Sequence, residues 1–161
     1  MDMKKVLNNE EYSDTKNANK ELINGSFNEG YHSWRISTAE TVGVLSENGV
    51  NFLRIQSYSD SGVIDQIIKG LEPNVKYRLT GTARLSTKKI PQRALPAYFG
   101  LQNRTSDPES FVVDSFNFTT GSVELSTDEE GFLRVYMMKD QFVGLPEEAT
   151  ADFTGFILEK A

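Results

Sequence analysis

Cysteine is absent from the 161 residues, and histidine and tryptophan occur once each, as His32 and Trp34. Without cysteine there is no disulfide framework and no thiol chemistry. The single histidine excludes zinc sites built from several histidines, and the lack of cysteine excludes Cys–His dyads. A Ser-His-Asp triad would have to use His32, which sits in a polar stretch without a nucleophile-elbow motif. No glycine-rich phosphate loop is present, since Gly81-Thr82 falls inside an alternating strand. Basic residues are in deficit: 17 Lys and Arg stand against 23 Asp and Glu, a net charge of −6. That balance argues against a nucleic-acid backbone as partner. No apolar run approaches the length of a membrane span. The opening MDMKKVLNNEE has lysines but no apolar segment behind them, so it does not read as a signal peptide. The expectation is either a cytoplasmic chain or a module cut from a longer exported one.

Helical periodicity is also nearly missing, and what replaces it is alternation. From Val75, the residues Val75, Tyr77, Leu79, Gly81, Ala83 and Leu85 fall on one face of a strand, and Lys76, Arg78, Thr80, Thr82, Arg84 and Ser86 on the other. Before it, Gly62 to Ile68 forms a short apolar run, and Gly70, Pro73 and Asn74 mark a turn. The two runs read as an antiparallel pair at the centre of the fold. Asn48-Gly49 between apolar runs predicts a hairpin, with Leu53 and Ile55 inward and Arg54 and Gln56 outward. Further strands are predicted over 97–104, 111–119, a short one at Val123 and Leu125, 132–138 and 152–159. Residues 1–20 are polar and read as a flexible tail or linker, leaving one domain over 21–161. Many short strands at regular spacing predict an all-β, two-sheet antiparallel β-sandwich of the jelly-roll kind.

The order of several pieces resembles a known family. Leu22-Ile23-Asn24-Gly25-Ser26-Phe27-Asn28-Glu29-Gly30 is followed by Trp34, by Leu53-Arg54-Ile55, and by Gly62-Val63 with Gln66. Then come Gly70-Leu71, Pro73, Tyr77 and Leu79, and a closing apolar strand ending Leu158-Glu159. This resembles the jelly-roll carbohydrate-binding modules appended to bacterial xylanases and cellulases, within the galactose-binding-like superfamily. The resemblance covers about residues 21–161. It implies a non-catalytic polysaccharide- or oligosaccharide-binding module, monomeric and attached to other domains of an exported, extracellular or cell-surface protein. The runner-up is a structural or interaction domain of a phage tail or bacterial surface protein. The motif residues themselves read as architectural, with Tyr77 in the core and Trp34 in the core or at its rim.

The resemblance also implies a structural calcium near the chain ends. It wants an acidic residue directly after Phe27 and an Asp pair before the last apolar residues. Here Asn28 follows Phe27, and Thr154-Gly155 stands where the Asp pair is expected. Glu29 and Asp152 are the remaining candidates, one position late and two early, and this depleted set weighs against the ion.

The favoured glycan site implied by the resemblance is the outward face of one sheet. The outward residues offer Arg78, Arg84, Tyr98, Gln102, Arg104, Arg134 and Tyr136, with Arg54, Gln56 and Tyr58 on a further strand. Tyrosine supplies a flat face for sugar C–H groups, and Gln and Arg supply polar forks for hydroxyls. So much arginine on outward positions suggests an acidic glycan, because guanidinium pairs carboxylates bidentately. A second possible site is the set of edge loops containing His32, Trp34 or residues 88–93. The paired carboxylates, at 128–130 and 147–148, sit in turn-like segments and read as solvated charge, so no catalysis is expected.

Overall fold

The computed structural model describes residues 19–39, 41–57, 61–85, 97–140 and 150–161. Eleven strands are found there: β1 (Asn28–Tyr31), β2 (Arg35–Thr38), β3 (Thr41–Glu47), β4 (Val50–Gln56), β5 (Gly62–Ile68) and β6 (Lys76–Leu85). They continue with β7 (Ala97–Gln102), β8 (Glu109–Val113), β9 (Thr119–Ser126), β10 (Leu133–Lys139) and β11 (Thr150–Lys160). Ten of them form two five-stranded sheets, ordered β2-β5-β10-β7-β8 and β3-β4-β11-β6-β9, with antiparallel pairing throughout. This is the expected all-β sandwich.

The core lies between the sheets and is built by the alternation. Ile64, Phe99, Leu101, Leu133, Val135 and Met137 enter it from one sheet, and Leu53, Ile55, Leu79, Ala83 and Phe153 from the other. Of the two places expected for Trp34, core or rim, the structure gives the core: it packs 5.5 Å from Phe27 and 5.7 Å from Phe156 between ring centroids. Its indole Nε1 donates to the carbonyl of Asn24 at 2.9 Å, so the one polar atom of the ring is satisfied. Gln66 has an architectural role too: its amide brackets Ile23, accepting from the backbone N–H at 2.8 Å and donating to the carbonyl at 2.9 Å. The hairpin at Asn48-Gly49 forms as predicted, with φ of 52° and 79° at its two tip residues.

Two readings need correction. The runs at 62–68 and 76–85 are not an antiparallel pair: β5 bonds to β2 and β10, while β6 bonds to β11 and β9 in the opposite sheet. The connection between them, with Gly70 and Asn74 at positive φ, crosses from one sheet to the other along residues 127–131. Every residue of β5 is buried, so its sequence shows no alternation that could have assigned it to a sheet. The single strand expected over 111–119 is likewise two. β8 ends at Val113 in one sheet and β9 begins at Thr119 in the other. Tyr58, residues 88–93 and 147–148, and nearly all of the tail lie outside the described residues. Asn19, at the tail's end, already bridges to Ile68 and donates its side-chain amide to Gln66.

Candidate functional site

The seven sugar-binding candidates do not share one face. Arg78 and Arg84 stand on the outer face of the β3-β4-β11-β6-β9 sheet. Tyr98, Gln102, Arg134 and Tyr136 stand on the outer face of the other sheet, and Arg104 follows β7 at its edge. The groove that would have joined them all is therefore not formed. The alternation placed each side chain outward correctly but could not say which sheet its strand had joined.

On the first of these faces the arginines are consumed structurally. Arg78 Nη2 pairs with Glu124 at 2.6 Å across the β6–β9 ladder, beside the hydroxyl pairs Thr80–Ser122 and Thr82–Thr120. Arg84 bridges Asp152 at 2.8 Å and Glu47 at 2.9 Å, and its guanidinium lies 4.2 Å from the Phe118 ring centroid. Arg54 takes the other oxygen of Asp152 at 2.7 Å. Arg104 is held by Asp128 at 2.8 Å and Glu130 at 2.9 Å over the ring of Phe132, lining a polar hollow of about 520 Å³.

The calcium set does not fit. Both oxygens of Asp152 accept from guanidinium groups, and Glu29 lies on the exposed strand β1. Among the described residues no three His, Cys, Asp or Glu side chains gather as ligands. Where the resemblance wants carboxylates, a neutral tie stands instead. Thr154 Oγ1 donates to the Asn51 carbonyl at 2.5 Å, and Asn51 Nδ2 donates to Asn28 Oδ1 at 3.1 Å.

The outer face of β2-β5-β10-β7-β8 is organised differently. Its register sets outward side chains in rows running across the strands. The first row is apolar: Val63 on β5, Met138 on β10, Tyr98 on β7 and Val112 on β8. Val63 and Met138 are buried, Tyr98 is half-buried against them, and Val112 is 50% exposed. The second row reads Arg35, Asp65, Tyr136, Gly100 and Ser110. Arg35 holds both oxygens of Asp65 at 2.8 Å, and Arg134 from the third row donates Nε to the same carboxylate at 2.5 Å. The hydroxyl end of Tyr136 crosses over Gly100, where a Cβ would meet the hydroxyl at 2.5 Å and the Glu109 carbonyl at 2.1 Å. That hydroxyl shares a 2.5 Å hydrogen bond with Ser110 Oγ, and burial pushes its pKa up. Ile67, Arg134 and Gln102 make the third row, all buried.

Beyond the apolar row, at the strand ends, stands Asp140. Tyr98 donates to its Oδ2 at 3.4 Å, long for an O–H donor. Burial first, and the neighbouring Asp140 charge second, raise the pKa of Tyr98. Arg35, Asp65, Met138 and Asp140 were not singled out from sequence, and Val63 was named only as part of the resemblance's Gly62-Val63 element. Asp65 carried a signal, as the one charged residue in the apolar run 62–68. Of the apolar row only Tyr98 and Val112 reach solvent, and a tyrosine face beside a valine can receive the C–H face of a sugar ring. Among the described residues, Asp65 on this face is held between two arginines and is not free to act as an acid or base.

No protein-family model matches the chain, and no curated protein matches it in sequence. Solved structures do match in fold. A family 16 carbohydrate-binding module superposes with a TM-score of 0.67 at 14% identity, covering 86% of this chain and 99% of that one. A family 61 module solved with β-1,4-galactotriose gives 0.65 at 14% identity, over 89% of this chain and 100% of that one. The enzymatically active domain of tailspike protein 4 from bacteriophage CBA120 gives 0.68 at 12% identity, over 88% of this chain but 21% of that one. The fold is thus the one that the sequence resembled, that of a jelly-roll carbohydrate-binding module.

Proposed function

We propose that this chain binds a neutral polysaccharide, without cleaving it, along the outer face of the β2-β5-β10-β7-β8 sheet. The observation that carries this reading is the accessible end of the cross-strand apolar row, half-buried Tyr98 beside exposed Val112, resting on buried Met138 and Val63 and bordered by polar side chains on its Tyr136 side. Pyranose rings present apolar C–H faces ringed by hydroxyls, and such a strip with polar margins matches that pattern. The acidic ligand loses its support. The guanidinium groups of Arg35, Arg54, Arg78, Arg84, Arg104 and Arg134 each already meet a carboxylate of the chain. A uronate would have to displace one of these, at the cost of an uncompensated carboxylate. The galactotriose of the family 61 structure is a ligand of the neutral class. The role fits a module within a longer exported protein.

Native affinity electrophoresis against neutral and uronate-bearing polysaccharides, at low and high salt, tests the reading. Retardation by a neutral polymer such as β-1,4-galactan or xylan is expected, unchanged by salt and lost in Tyr98→Ala. Retardation by uronate polymers alone, fading with salt, would return the ligand to the acidic class. No retardation by any polymer would overturn sugar binding. The reading would then pass to an interaction domain, for which the tailspike likeness is the supporting observation.

A further inference from the structure

The strand β9 ends its sheet beyond β6 and is the longest of the edge strands β2, β3, β8 and β9. In an antiparallel ladder alternate residues turn their N–H and C=O groups to each side. About half of β9 therefore bonds to β6, and the rest faces away from it. Among the described residues its backbone bonds to β6 and, at its last residue, to Asn103, whose Nδ2 donates to the Ser126 carbonyl at 2.8 Å. Its outward side chains Thr120, Ser122 and Glu124 are exposed.

Sheet edges are commonly protected by lysine, proline, a bulge or shortness. The β9 sequence holds neither lysine nor proline, and its register with β6 runs from Lys76↔Ser126 to Ala83↔Thr119 without a shift. Its one charged side chain, Glu124, is drawn back across the ladder to Arg78 at 2.6 Å. Ser122 and Thr120 are tied the same way, to Thr80 at 3.0 Å and to Thr82 at 2.7 Å. The side chains that could fend off a neighbour thus lean towards β6. What remains at the edge is a row of alternating backbone donors and acceptors, the pattern that another extended strand satisfies.

We propose that β9 is an association surface for a second copy of this chain, whose β9 adds antiparallel to it about a two-fold axis through Ser122. This departs from the monomer that the resemblance implies. A two-fold contact uses the same strand on both copies, so it closes as a dimer and leaves no edge for a third. With Ser122 on the axis, the stretch from Thr119 to Leu125 opposes itself. Glu124 then faces Thr120, and Val123 faces Gly121, whose inner side the Phe111 ring already covers. Moving the axis to Val123 would bring the two Glu124 side chains together on the diagonal, and moving it to Glu124 would set them directly opposite. Like charges so placed are destabilising, which favours the register on Ser122. The axis crosses both sheets, so the two β2-β5-β10-β7-β8 outer faces look the same way and one polymer can engage both. The association itself does not depend on sugar binding.

The test is sedimentation velocity of the full chain from micromolar to millimolar concentration, at an ionic strength that screens the net charge of −6. The wild-type protein is expected to pass from monomer to dimer as concentration rises. Ser122→Lys and Ser122→Glu each set like charges opposite one another across the axis. Each is expected to raise the dimer dissociation constant about fivefold, with melting curves showing that both fold. Mixed in equal amounts, the two variants are expected to dimerise again, because lysine then faces glutamate. Wild-type protein that stays monomeric throughout, or a Ser122→Lys variant that dimerises like wild type, would overturn the association. A mixture that associates no more tightly than either variant alone would overturn the register on Ser122.

Discussion

Lys139 ends β10 with its side chain 2% exposed, and burial lowers its pKa to about 8 despite the opposing pull of Asp140. In the unfolded chain the same amine titrates near 10.5. Between these values the unfolded state binds more protons than the folded one, so stability rises with pH across that window. Below about pH 8 the full penalty is present, and above about 10.5 it is gone. The difference corresponds to about 3 kcal/mol. Lys139→Met, which keeps the volume and removes the charge, is expected to melt higher than wild type at pH 7. The advantage should shrink as pH rises from 8 toward 10.5, read as the difference between the two proteins' melting temperatures. An equal melting temperature at pH 7 would refute the penalty.

At the scale of elements, β11 is the member that ties its sheet together, paired with β4 on one side and β6 on the other. Its pairing with β6 slips between Thr154 and Ile157, where Gly155 takes a φ of 66°, so the strand changes register without leaving the sheet. Asp152 sits before that bulge at 1% exposure and binds Arg54 and Arg84 from both flanking strands. Its removal leaves two guanidinium groups facing each other over the ring of Phe52. Asp152→Ala is therefore expected to lower the unfolding free energy by about 3 kcal/mol in urea denaturation. Glu47→Ala, which removes only the solvent-exposed end of the same network, should cost far less. Equal losses in the two variants would contradict the assignment. The alternation showed Arg54 and Arg84 pointing outward, but their common partner lies in a strand 68 residues beyond Arg84. Sequence patterns of one strand carry no information about that distance.

For the whole molecule, the point at issue is whether an ion is needed to close the N-terminal motif onto the last strand. Asn28, Asn51 and Thr154 join β1, β4 and β11 through neutral hydrogen bonds at the place where the resemblance expects carboxylates. We propose that this tie does the structural work of a calcium site. The melting temperature is then expected to be the same in calcium and in chelator, and Thr154→Ala to lower stability by about 1 kcal/mol. A melting temperature that rises with calcium would show that a site exists after all.

By itself the sequence determined the two faces of most strands, the hairpin at Asn48-Gly49, the burial of Tyr77, and the class of the fold. Each of these follows from local chemistry: period-two burial, a turn that tolerates positive φ, and apolar area that must leave water. The tertiary structure alone decided which strands share a sheet. With that it decided that Arg78 and Arg84 stand on the opposite face from Tyr98 and Tyr136, that β5 and β6 part company, and that the arginines are already paired. Strand pairing and ion pairing are chosen among many partners by whole-core packing and desolvation. A chain read one residue after another records which side a residue faces, but not what it will find there.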